Sequence, residues 1–65
     1  MKLISVQSRG NRLARVYEHH SGYGYAFMGM TIDSDGKKYL DEGKDMVDLH
    51  VAFKAAEEWL QEAKQ

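Results

Sequence analysis

The residues best equipped for chemistry lie in one run, Tyr17 to Met30, "YEHHSGYGYAFMGM", where two adjacent histidines, three tyrosines, a phenylalanine and two methionines surround three glycines. A metal centre is the first chemistry such a run suggests. Adjacent residues on a strand point to opposite faces, however, so His19 and His20 cannot close together on one ion. His50 is remote in sequence, and no HxH or HxxxH spacing occurs. The stretch "TIDSDGKKYLDE" (Thr31 to Glu42) places Asp33, Asp35, Gly36 and Glu42 at four positions of a calcium-binding EF-hand loop. Thr31 stands where the first aspartate belongs, and Lys38 where an apolar residue belongs, so an Asp-Gly turn accounts for the same letters.

Catalysis finds no better footing. The chain has no cysteine, and Ser5, Ser8, Ser21 and Ser34 sit in no nucleophile motif. "SGYG" has too few glycines and no following helix for a phosphate loop. Asp41, Glu42, Asp45 and Asp48 cluster in sequence, but turn chemistry and helix capping explain them. No enzyme activity, cofactor or metal is therefore expected.

Sixty-five residues make one domain. A chain of that size buries only about 60% of the surface its unfolded form exposes, and it commonly needs a disulfide, a metal or a partner to supplement its core. Without cysteine, association becomes the natural supplement. The net charge of −1 conceals an asymmetry. Lys2, Arg9, Arg12 and Arg15 against Glu18 give residues 1–20 a sum of +3, while residues 21–45 and 46–65 each sum to −2. That is too little positive charge for a strong phosphate-binding face, though enough to orient a partner. No apolar run is long enough to span a membrane, so the expectation is a cytoplasmic protein with no membrane contact.

The elements that must position these residues follow from periodicity. Strands are expected at about 2–8, 12–20, 25–32 and 37–40, separated by turns at "RGN", "SGYG" and "DSDG". From Met46 onward the period changes. Met46, Leu49, Phe53, Ala56, Leu60 and Ala63 recur in steps of three and four, which predicts a helix over about 46–63 with Asp45 as its cap. The fold class is then α+β, an antiparallel meander of three to four strands packed on one C-terminal α-helix.

One helix covers one side of a sheet. Alternation assigns Ile4, Val6, Ala14, Val16, Ala26, Met28, Met30, Ile32 and Leu40 to the helix side. The other face receives Leu13, Arg15, Tyr17, His19, Tyr25, Phe27 and Tyr39, and a one-residue slip in register would exchange the two sets. The expected contact residues are Arg15, Tyr17, His19, Tyr25, Phe27 and Tyr39. An open aromatic face of this kind suits a homo-oligomer or a protein partner. The alternative is a nucleic-acid-binding module that stacks bases on Tyr17, Tyr25, Phe27 and Tyr39 beside Arg12 and Arg15.

"ARVY" at Ala14–Tyr17, an acidic turn into a helix, and "AAEEWL" at Ala55–Leu60 resemble a group of uncharacterised short proteins from phages and marine viruses. The likeness runs in outline over residues 1–62 and rests on those two motifs, while "SGYGYAFMGMTIDSDGKKY" departs from it. It implies a β-β-β-α layout and a phage-like origin, and the short length, missing staples and open aromatic face add the expectation of a homodimer or a phage-type accessory factor docking on a host or phage protein in the host cytoplasm. It implies no chemistry and assigns no functional residue.

Overall fold

The computed structural model describes residues 1–20 and 24–64. Four strands, β1 (Lys2–Arg9), β2 (Arg12–Glu18), β3 (Tyr25–Ile32) and β4 (Lys38–Met46), pair antiparallel in the order β1-β2-β3-β4, and α1 (Leu49–Gln61) follows. The α+β class and the meander are as the sequence suggests. Of the expected "SGYG" reversal, Ser21, Gly22 and Tyr23 lie outside the described residues.

Two turns are built by single residues. Gly10, at φ 54°, turns β1 into β2, in the left-handed region that glycine enters without strain. Asn11 beside it fastens the end of the chain: its amide donates to the Lys64 carbonyl at 2.9 Å, and its side-chain oxygen accepts from the Lys64 amide at 2.9 Å. Between β3 and β4, the Asp33 carboxylate accepts from the amides of Asp35 and Lys37, each at 2.9 Å, and from the Tyr39 hydroxyl at 3.1 Å.

These donors, the Lys37 amide foremost, hold the Asp33 carboxyl below the ordinary aspartate value of 3.8. A depressed pKa stabilises the fold above the unfolded-state value and is lost as pH falls through the folded one. Asp33→Asn should therefore trail the parent protein in urea midpoint near pH 7. The gap should narrow in acid below 3.8, where the parent's carboxylate is itself protonated.

The helix begins later than its spacing suggests. β4 runs on to Met46, so Asp45 pairs with Ala26 inside the sheet and is not the cap. Asp48 caps instead, in extended conformation at φ −110° and ψ 128°, its carboxylate accepting from the His50 amide at 2.8 Å. The second half of β4, "DEGKDM", carries the charges typical of an edge strand, and that hides its strand character.

The core lies between α1 and the two central strands. Ala14, Val16 and Phe27 from the sheet meet Ala52, Ala56 and Leu60 from the helix, with Tyr25, Met46, Leu49, Ala55 and Trp59 packed around them. Small residues on one layer receive large ones from the other. Ala52 and Ala56 let the helix settle onto Phe27, which is 1% exposed. Gly29 lies beneath the indole of Trp59, so close that a Cβ there would stand 2.8 Å from the ring. Phe53, expected in the apolar stripe, is 37% exposed, and Ala52 takes its place in the core.

That packing reverses much of the face assignment. The register pairs Val16 with Phe27 and Glu18 with Tyr25, so Tyr25 and Phe27 belong to the helix side and are not contact residues of an open face. Met28 shares a row with Arg15, and Met30 with Leu13, so Met28, Met30 and Ala26 turn away from the helix. A bulge at Ile4 and the pairing of Val6 with Arg15 put Val6 on that second face as well. Leu40, opposite Met30, joins them. Tyr39 pairs with Thr31 in the helix-side register and is likewise lost from the open face.

Candidate binding face

The face opposite α1 consists of three rows that cross the sheet from edge to edge. The first is Leu3, Tyr17, Ala26 and Asp45; the second Val6, Arg15, Met28 and Gly43; the third Ser8, Leu13, Met30 and Leu40. Alternation places them all on one side, because Ala14, Val16 and Phe27 between them belong to the helix-side core. Leu13 and Ala26 are buried yet stand outside that core cluster, as the inner positions of a second face should. Towards the edges the apolar side chains are open: Leu3 is 48% exposed, Val6 49% and Leu40 61%.

Arg15 stands in the middle of this surface. Its Nη1 donates to the Tyr17 hydroxyl at a long 3.5 Å, and its Nε is buried with no hydrogen-bond partner among the described residues. Such a guanidinium retains most of its donor capacity, a feature that favours a carboxylate from outside. At the rim His19 meets Asp45, Nε2 to Oδ1 at 3.1 Å, while His20 contacts the N-terminal amino group of Met1. The two histidines thus engage different partners. No three His, Asp or Glu side chains among the described residues stand close enough to share an ion.

Of the residues expected at the open face, Arg15, Tyr17 and His19 are there, and Tyr25, Phe27 and Tyr39 are not. Arg12 is also elsewhere. It stacks on Trp59 at 3.9 Å, donates to the Trp59 carbonyl at 3.0 Å and pairs with Glu62 at 3.2 Å. Sequence reasoning missed Leu3, Val6, Met28, Met30 and Leu40. The signal that could have found them is Gly29, a mid-strand glycine that marks where the helix tryptophan descends and so fixes which side of β3 is inward.

Other surface concavities are open and charged. One lies between Trp59 and Phe27, rimmed by Glu42, Lys44, Glu58 and Glu62, and another between the end of β1 and Glu57, Leu60 and Gln61. Within the first, Glu42 accepts from Lys44 at 2.8 Å and keeps the ammonium pKa above its usual value. An exposed pair of this kind contributes little to stability. Among the described residues, no helix is long and apolar enough to cross a membrane. The chain matches no known family model, curated protein or solved structure.

Proposed function

We propose that this protein works by binding rather than by catalysis, and that the sheet face opposite α1 is where it binds another protein. The observation that carries this reading is the placement of Leu3, Val6, Met28, Met30 and Leu40, from three different strands, on one face that α1 leaves open. Contiguous apolar surface of this sort on a small domain is the usual mark of a protein interface. A nucleic-acid role loses its residues in this arrangement. Arg12 is tied to Trp59 and Glu62, Phe27 is in the core, and Arg15 is the one cation left in the three rows. The resemblance to short phage proteins extends the proposal to a viral accessory factor working in the host cytoplasm.

The absence of cysteine makes a direct test simple. A photoreactive maleimide on Val6→Cys or Leu40→Cys should give adducts in cell extract that protease destroys and nuclease spares. The same label on Lys54→Cys, on the exposed side of α1, should give few. Nuclease-sensitive adducts, or equal labelling from Lys54, would overturn the reading.

A further inference from the structure

We infer that the occupant of this face is a second copy of the chain, docked about a two-fold axis that runs parallel to the strands between β2 and β3. This rests on the open face being a protein-binding surface, and it adds the partner and the geometry. The leading observation is Gly43. A glycine inside a strand weakens it unless backbone conformation or a close neighbour requires one. Gly10, Gly24 and Gly36 have positive φ, and Gly29 lies under Trp59. Gly43 has neither reason, since its φ is unexceptional and, among the described residues, no atom lies within 4 Å of where its Cβ would be. It faces outward at the end of the row Val6, Arg15, Met28, Gly43, where a Cβ would enter open space.

The face supplies the complement. Val6, 49% exposed, stands at the opposite end of the row that ends in Gly43, on the far edge of the sheet. Rotation about an axis along the strands exchanges β1 with β4 and β2 with β3. Val6 then lies over Gly43 of the second copy, and Tyr17 over Ala26 of the second copy. Two sheets packed face to face with their strands nearly aligned are a standard arrangement, about 10 Å apart.

Charge selects the same axis. A two-fold across the strands through the central row would set Arg15 against Arg15, and opposed like charges at an interface are strongly unfavourable. The lengthwise axis sets Arg15 over Met28 of the second copy and brings Asp45 of that copy diagonally alongside. From strand and sheet spacings the two Cα atoms stand about 13 Å apart, a gap that a nearly extended arginine and an aspartate close. The Asp45 side chain is 81% exposed, so it is free to turn inward from His19. Two such pairs would satisfy both guanidinium groups, whose burial without a carboxylate would be costly. The 37 × 19 Å extents of the molecule cap this face at about 700 Å², somewhat below the roughly 800 Å² per partner of a standard interface.

Light scattering and sedimentation on the purified chain test this. The parent should show twice the 7.5 kDa of one chain at high micromolar concentration. Gly43→Val places a side chain in open space on the monomer, so it should keep the circular dichroism spectrum while weakening association more than about tenfold. Arg15→Asp and Asp45→Arg should each dissociate the dimer, and the double variant should restore it. A parent that stays monomeric, a Gly43→Val dimer of unchanged affinity, or a charge exchange without rescue would each overturn the inference. A monomeric parent whose face still crosslinks to another protein would overturn self-association alone and leave the binding face standing. Loss of both would end the two readings together.

Discussion

Phe27→Ala is expected to leave the protein largely unfolded at 25 °C. Phe27 is 1% exposed and, among the described residues, is the largest fully buried side chain, wedged between Val16 on the neighbouring strand and the alanines of the helix. Removing such a ring costs about 3–5 kcal/mol, combining lost transfer energy with the cavity left behind. A domain of this length has about 3–10 kcal/mol of total stability at typical values per residue. The loss is therefore comparable with everything the fold holds in reserve. Ala52 and Ala56 are too short to fill the space, and the sheet beneath cannot rise without breaking its ladder. Phe27→Leu keeps most of the volume and should cost nearer 1 kcal/mol. Urea unfolding of the two variants separates the two assignments of β3: a phenylalanine on an open face would tolerate alanine with little change in midpoint.

That contrast shows where the sequence is legible. The meander and the helix were readable because turn residues punctuate the chain at "RGN" and "DSDG", and because apolar residues after Met46 recur at helical spacing. The facing of β2 was readable too, since Ala14 and Val16 alternate with polar or bulky neighbours. The facing of β3 was not, because "YAFMGMTI" is apolar on both sides and a period of two cannot choose between equal sets. What decides is a tertiary fit: a helix lined with alanine needs bulk from the sheet, and a helix tryptophan needs a glycine beneath it. β1 is ambiguous for a different reason. The bulge at Ile4 shifts the parity partway along, so Leu3 and Val6 share a face although they are an odd number of residues apart. The β2 share of the candidate site, Leu13, Arg15 and Tyr17, was thus recoverable from alternation, and the residues from the other three strands depended on pairing that alternation cannot see.

The interlock between Gly29 and Trp59 leads to the second large effect. Gly29→Val should destabilise the protein by about 2–4 kcal/mol, through overpacking and the loss of a partly buried hydrogen bond. The new Cβ would lie 2.8 Å from two indole carbons and 3.0 Å from the end of the Phe27 ring, and both neighbours are rigid. The indole can yield only by lifting away. In doing so it gives up the hydrogen bond from Nε1 to the Met30 carbonyl at 3.3 Å, and it withdraws the surface on which Arg12 stacks. Because Trp59 is the only tryptophan, its fluorescence reports the displacement directly, and a red shift should accompany the lowered urea midpoint. Coupling gives the sharper test. If the damage comes from the clash, Gly29→Ala combined with Trp59→Leu should cost less than the sum of the two single changes, since a smaller helix residue leaves room for the methyl group. Simple addition would mean instead that Gly29 matters through strand conformation and not through the space it keeps clear. The sign of that coupling decides whether the helix tryptophan is what sets the inward side of β3, and with it the composition of the outer face.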